Sequence, residues 1–429
     1  MVRPITKKHN LDHWGFYQVG EIKTYSKIEA IEISGKVKKP IKFNFNNEIF
    51  DSFDWTKEPE GDLKFWYRAR AEQIRNEYDY IVLLYSGGAD SHNILQTFIE
   101  NNIFIDEIAQ FVCLEGTPNE KQEIVNWETY TVSAPRTQQL IQSNPLYRNT
   151  KHRIVDGGQY QIKSILEENT FDLWYQRNNW NFSPYVKTFG GIKHYVPEYK
   201  RLMDQGKKVC LLWGWDKLRM SLDSNLNCNV EFIDSGMSSS VPPFERRDND
   251  PNLPKDESFY WNPDLPELII KQAHQVKKFL SHALQYPPDN INIKYSGVEK
   301  SRQGLRQLDR GQSPLKFIFN DQRLEITNQA YHKIIYPYYQ PELVFDGGKP
   351  ISSFFGGRDD WIWNSNVPEI QRMVKLYGSG VAWLKNMILK SDPSFWIEHP
   401  YDPKVDKRFC AGMKLSVNSY SIGKIQIAK

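Results

Sequence analysis

Cysteine is scarce in this chain, with 4 in 429 residues, at Cys113, Cys210, Cys228 and Cys410. None stands at Cys-x-x-Cys spacing, so a structural zinc site is not expected. Cys113 and Cys210 lie in the apolar runs Phe111 to Leu114 and Val209 to Trp213, where cysteine serves as small core filling more often than as a nucleophile. No apolar run approaches membrane-spanning length, and Met1-Val2-Arg3-Pro4-Ile5-Thr6-Lys7-Lys8 lacks the apolar core of a signal peptide. A soluble, cytoplasmic protein with no membrane partner is the expectation. Long runs of Lys or Arg are absent and the net charge is +3, giving no general electrostatic reason to expect nucleic acid. No Ser-His-Asp or Cys-His set is recognisable, and no longer glycine loop closes on Lys-Ser or Lys-Thr. Simple γ-phosphate hydrolysis of the P-loop kind is disfavoured, and the missing triad is consistent with chemistry that needs no covalent enzyme intermediate.

What is present is a well-filled globular composition, 40% hydrophobic and 14% aromatic, in a chain long enough for two units. The most informative stretch is Tyr80 to Asn93. Ile81 to Leu84 is a continuous apolar run of the kind found in a parallel strand buried on both faces. It enters Ser86-Gly87-Gly88-Ala89-Asp90-Ser91, after which Ile94, Leu95, Phe98 and Ile99 recur at helical spacing. Two glycines let backbone N–H groups approach a ligand closely, and the helix N-terminus favours negative charge. Ser86 and Ser91 add hydroxyl donors. A carboxylate beside bound phosphates would repel them, so Asp90 reads as a ligand of an intervening Mg²⁺ or as a helix cap, with the metal role favoured. A glycine-rich turn without chemical meaning is the plainer alternative, disfavoured by the flanking strand and helix.

Ser86-Gly87-Gly88-Ala89-Asp90-Ser91 resembles the PP-loop of the ATP pyrophosphatase superfamily, which includes asparagine, GMP, NAD, argininosuccinate and tRNA lysidine synthetases and several sulfurtransferases. The resemblance implies a doubly wound parallel α/β sheet of the adenine-nucleotide hydrolase (HUP) type. It also implies ATP and Mg²⁺ as cofactors and cleavage between the α- and β-phosphates. A carboxylate or carbonyl oxygen is adenylated, pyrophosphate leaves, and a nucleophile, often nitrogen, displaces AMP. In the superfamily the end of the second strand borders the adenosine, which makes Cys113, Leu114 and Glu115, at the end of the run Ile108 to Leu114, neighbours of base or ribose. A third strand is expected at His152 to Asp156, ending in Gly157-Gly158, and a mostly helical stretch broken near Pro135 at Lys121 to Gln142.

A second site-like segment is the apolar run to Trp213 followed by Gly214-Trp215-Asp216-Lys217-Leu218-Arg219. It loosely resembles the Gly-x-Asp loop of PP-loop synthetases. Asp216 is a candidate for Mg²⁺ or for orienting substrate, and Lys217 and Arg219 are candidates for neutralising the departing pyrophosphate. A surface salt-bridge cluster is the competing reading.

Three regions are expected. Residues 1–60 form an N-terminal β-containing extension, with strand character across Glu21 to Gly35 and Ile41 to Phe50. Residues 61–285 form the PP-loop domain, opened by a helix through Leu63, Trp66, Tyr67, Arg70 and Ile74 behind Asp62 as N-cap. Its Arg68, Arg70 and Arg75 read as a solvated face more readily than as phosphate ligands. Within this domain Asp234 to Ser258 reads as a long loop, a candidate lid, and a helix resumes after Pro266. Residues 286–429 read as a mixed, mainly helical, aromatic-rich and candidate substrate-binding region, with helical pieces at Val367 to Leu376 and Val381 to Leu389. Lys300, Arg302, Arg306 and Arg310 form a basic cluster best read as solvated surface.

The order of segments resembles uncharacterised PP-loop proteins of large tailed bacteriophages, with Tyr25 to Ala30 ahead of the loop and Phe259 to Leu268 behind it. Host cytoplasm would then be the setting. The function expected is an AMP-forming synthetase resembling the asparagine synthetase branch, acting on a small-molecule or nucleic-acid acceptor, with homo-oligomers compatible. Val2 follows Met1, so the N-terminal catalytic cysteine of glutamine-dependent members is not expected, and the nitrogen donor would be ammonia, an amine or a separate subunit. Two alternatives are a sulfurtransferase or phosphoadenylyl-sulfate reductase-like enzyme, and a nucleotide-binding interaction module without turnover.

Overall fold

Alternate residues of one strand face opposite cores, and this fixes the architecture. In β4 (Tyr80–Leu84), Ile81 and Leu83 enter one hydrophobic cluster while Val82 and Leu84 enter another. β7 (Val209–Trp213) divides likewise, Cys210 and Leu212 on the first side and Val209, Leu211 and Trp213 on the second. Such strands survive only in a sheet covered on both faces. The computed structural model describes residues 12, 15–25, 27–158, 192, 196–214, 219–223, 225–233, 253–285, 317–320, 323–326, 334–338, 366–368, 371 and 417–425.

The central sheet has five parallel strands in the order β10-β7-β4-β5-β6, with β5 at Glu107–Val112, β6 at Lys151–Asp156 and β10 at Lys255–Ser258. The chain therefore builds outward from β4 to β6 on one side, then returns to lay β7 and β10 on the other. Strand order reverses between β4 and β7, the position where open α/β sheets bind ligands. Helices α1 (Lys27–Val37), α2 (Asn47–Phe50), α3 (Leu63–Glu77), α4 (Ala89–Glu100), α5 (Asn119–Val125), α6 (Ala134–Ser143), α7 (Pro197–Asp204) and α8 (Pro266–Gln285) follow in chain order. On the first face lie Leu63, Tyr67 and Ile74 of α3, Ile94 and Phe98 of α4, and Leu268, Ala273 and Val276 of α8. Tyr199, Leu202 and Met203 of α7 cover the second. The coarse expectation of a wound parallel α/β sheet thus holds.

The expected cap is present: Asp62 accepts the Phe65 amide at 2.8 Å at the start of α3. Of the three arginines expected on a solvated face of α3, Arg68 is exposed and Arg70 and Arg75 are not. Arg70 is fully buried, donates to Glu257 of β10 at 2.5 Å and to the Ser258 carbonyl at 2.7 Å, and so ties the helix to the sheet. Arg75 pairs with Asp106 at 2.6 Å, and Arg68 with Glu72 of its own helix.

Several expectations are corrected. The β-branched stretch Glu21 to Gly35 holds only β2 (Ile22–Thr24), which pairs with β1 (Phe16–Val19); Lys27–Val37 is helix α1. β3 (Ile41–Asn44) completes that small antiparallel sheet before α2. The loop expected through Ser258 ends instead in β10, whose Asp256 is buried against Trp213 Nε1 at 2.6 Å. Most of the region 286–429, expected to be mixed and mainly helical, lies outside the described residues; its described part contributes three strands. β11 (Phe317–Asn320), β12 (Arg323–Ile326) and β13 (Val417–Lys424) join β8 (Arg219–Asp223) and β9 (Asn227–Ile233) in an antiparallel sheet ordered β11-β12-β8-β9-β13. The hairpin β8–β9 follows β7, so this sheet draws strands from the central domain and the C-terminal region alike. Phe45, Phe232, Trp261 and Tyr420 share one core with the parallel sheet. The helical piece expected from 367 to 376 is described only at 367, 368 and 371; that from 381 to 389 and the basic cluster at 300–310 lie outside the described residues. Among the described residues no helix is long and apolar enough to cross a membrane.

Candidate functional site

The loop after β4 stands at the carboxyl edge of the sheet, at the reversal of strand order. Gly87 has φ +81°, a left-handed conformation that strains any residue with a Cβ. A Cβ there would also meet Val132 and Ser133 at 3.1 Å, because the π-helical turn Thr129–Ser133 packs on the loop. Gly88 is the N-cap of α4 in extended conformation, and no side chain caps the helix there. Ser91 Oγ accepts the Ser86 amide at 3.2 Å and lies 3.2 Å from Ser86 Oγ, which accepts the Gly88 amide at 3.3 Å. Ser86, exposed, and Ser91, buried, thus fold the loop around the first turn of α4. Ala89 and Asp90 are that first turn. The six residues expected to form the cradle are therefore one structural unit.

From the other side of the reversal comes Gly214, directly after β7. A Cβ on Gly214 would lie 3.2 Å from the Ser91 amide nitrogen and 3.3 Å from the Asp90 carbonyl carbon. The end of β7 therefore leaves no room for a side chain against the N-terminus of α4. Beyond Gly214 the expected site is only partly described. Asp216 and Lys217 lie outside the described residues, and Arg219 begins β8 in the antiparallel sheet, its backbone opposite Glu231.

Asp90 is held by two phenols that no spacing in the sequence connects to it. Tyr336 Oη donates to Asp90 Oδ1 at 2.8 Å, and Tyr260 Oη donates to the Asp90 carbonyl at 2.6 Å. The two rings stack with centroids 5.2 Å apart. Tyr67 also feels the Asp90 charge. All three hydroxyls are pushed well above the ordinary phenol range, by burial first, with Asp90's charge adding to it. They remain protonated donors.

A cation the sequence did not single out lies on the opposite side of the loop. Arg136 of α6 donates to the Gly87 carbonyl at 3.3 Å. Its charge reaches the pair below, where Tyr85 Oη and His92 Nδ1 are 3.0 Å apart. Burial lowers His92 to about 4, assisted by Arg136, so the imidazole is neutral at physiological pH. Burial raises Tyr85 to about 12 against the opposing effect of Arg136.

The third wall is built by Asp156 at the end of β6. Its carboxylate accepts the amides of Leu114 at 2.9 Å, Glu115 at 3.0 Å and Gly158 at 3.0 Å. A Cβ on Gly158 would collide with the Glu115 carbonyl. Glu115 itself is exposed at this edge, on the strand-end loop where it was expected. The adjoining Gly116 carbonyl accepts the Asn366 amide at 3.0 Å. Cys113 is buried and its amide bonds to Asn126.

Among the described residues no group of three or more His, Cys, Asp or Glu side chains could hold a metal by itself. The site offers instead a loop of amides and hydroxyls, one carboxylate at a helix start and one arginine. Such a set suits a polyanion carrying its own cation. Comparison of the chain with family profiles, with curated proteins and with solved structures finds no match.

Proposed function

We propose that the chain is an ATP-dependent, AMP-forming synthetase of the PP-loop kind, its central sheet being of the adenine-nucleotide hydrolase (HUP) type. The observation that carries this reading is the loop Ser86–Ser91 at the start of α4, placed where strand order reverses between β4 and β7. The sheet order, the glycine-permitted backbone and the serine pair all favour a bound pyrophosphate moiety there.

In this reading the amides of the loop and the hydroxyls of Ser86 and Ser91 bind the β- and γ-phosphates. Mg²⁺ fits because one carboxylate, phosphate oxygens and water satisfy it, and Asp90 is the residue that would hold it. The bound cation supplies positive charge that stabilises the departing pyrophosphate. Arg136, beside Gly87, adds a fixed positive charge on the other flank. This charge role supplements that proposed for Lys217 and Arg219; Asp216 remains a further metal candidate. Glu115 and the loop clamped by Asp156 border the adenosine.

An acceptor oxygen attacks the α-phosphorus, the bond from it to the bridging oxygen breaks, and pyrophosphate leaves with the electron pair. A nitrogen nucleophile then attacks the activated carbon, loses a proton and displaces AMP. Positioning and charge stabilisation carry both steps, without a covalent enzyme intermediate. A sulfur-transfer reading has less support. Cys210 and Cys228 are buried, and burial pushes their thiols upward, Cys228 to about 12, away from the thiolate such chemistry needs.

The test is incubation with Mg²⁺ and α-labelled ATP, with and without metabolite and RNA extracts. AMP and pyrophosphate formed by the wild type but not by Asp90→Ala support the proposal. ADP and phosphate overturn it. Tight binding without turnover under any acceptor supply favours a nucleotide-binding module.

A further inference from the structure

Resting on that reading, we propose that Tyr336 is a positioning residue for the Mg²⁺-bearing carboxylate. The C-terminal region would thereby set the metal dependence of nucleotide binding from 246 residues downstream. The geometry is specific. Tyr336 donates to one carboxylate oxygen of Asp90, and Tyr260 to the carbonyl of the same residue, so side chain and main chain are held independently.

The donors are themselves fixed. Tyr336 is 4% exposed and stacked on Tyr260, whose hydroxyl also accepts from Asn93 of α4 at 3.3 Å. Next to it, the Ile335 carbonyl accepts the Tyr67 hydroxyl at 2.9 Å, and Ile334 and Ile335 are buried in the main core. Segment 334–336 is thus anchored on α3 and α4 through hydrogen bonds and apolar burial together. A half-buried aspartate at a helix start has several rotamers, and a bond from a rigid donor selects among them. A partner of this kind, one shell out from a metal, is typically worth about 10- to 100-fold in metal affinity or activity.

The test compares full-length wild type, Tyr336→Phe and Asp90→Ala by calorimetric titration with α,β-methylene ATP, once in excess Mg²⁺ and once in EDTA, alongside thermal melts. Tyr336→Phe keeps the ring and its stack. It is expected to weaken binding about tenfold or more in Mg²⁺ while leaving the EDTA affinity at the wild-type value. Equal affinity in Mg²⁺ overturns the inference, as does equal weakening in both media, which would mark a merely structural tyrosine. Tighter binding also overturns it, because Tyr336 would then be masking Asp90. If Tyr336→Phe does not fold, Tyr260→Phe, which removes the bond to the Asp90 carbonyl together with the one accepted from Asn93, carries the same comparison. Loss of Mg²⁺ dependence in Asp90→Ala with none in Tyr336→Phe sinks this inference alone. A wild type indifferent to Mg²⁺ sinks the underlying reading and this inference with it.

Discussion

Gly214 faces Ser91 across the reversal of strand order, so close that a Cβ on the glycine would lie 3.2 Å from the serine amide nitrogen. This close approach sets the end of β7 beside the first turn of α4. Gly214→Val should push the two apart and occlude the helix start. Nucleotide affinity is expected to fall at least tenfold, about 1.4 kcal/mol, in a protein that still folds. Calorimetric titration beside a thermal melt checks this; a folded Gly214→Val with wild-type affinity would remove β7 from the site.

Gly87→Ala combines a left-handed φ with crowding against Val132 and Ser133. A destabilisation of about 1–2 kcal/mol is expected, read from the shift of the urea midpoint at constant slope. No change in midpoint would mean that the loop is free to adopt another backbone.

Arg70 and Glu257 form a fully buried ion pair, with Tyr78 also donating to Glu257 at 2.7 Å. Arg70→Met leaves a buried carboxylate without its cation and should cost about 3–5 kcal/mol. Adding Glu257→Leu should recover much of that loss. Nucleotide affinity of the double variant should match the wild type, since Arg70 faces β10 and not the loop. A selective loss of affinity at recovered stability would return Arg70 to the phosphate site.

His92 supplies a pH test. Its folded value of about 4 lies below the ordinary value of 6.5, so between these limits the unfolded chain binds the proton and the folded one does not. Stability is therefore fully present above about pH 6.5 and declines as pH falls towards 4, by an amount of order 3 kcal/mol at most. His152 and His274 are lowered by burial too and add to the same trend. Denaturant melts at stepped pH should show a shallower acid-side decline in His92→Gln. An unchanged slope would mean that His92 titrates normally.

Much of the parallel sheet was legible because its strands are nearly pure apolar runs and its first loop is rich in glycine and serine. β10 was not, since Lys255-Asp256-Glu257-Ser258 carries no apolar signal. It is a buried strand because Arg70 and Trp213, far away in sequence, satisfy its two carboxylates. α1 misled through the β-branched residues Ile28, Ile31 and Ile33, whose preference for strands is weak enough for context to override. At the site, local sequence disclosed what the backbone of one loop does. Arg136, Tyr260, Tyr336 and Asp156 are brought in by tertiary contact, and no spacing in the sequence connects them to Asp90 or Gly87. The aromatic stretch around Tyr336 read as core or interface, and its ring is indeed buried; the hydroxyl bond to Asp90 was the part without a local signal.

In the proposed function, Ser86–Ser91 cradles the pyrophosphate portion of ATP. A crystal structure of the chain with Mg²⁺ and α,β-methylene ATP tests it most directly. The expected result is β- and γ-phosphates on the amides of Gly87 to Ser91. Nucleotide bound elsewhere, or phosphates turned away from the start of α4, would contradict it.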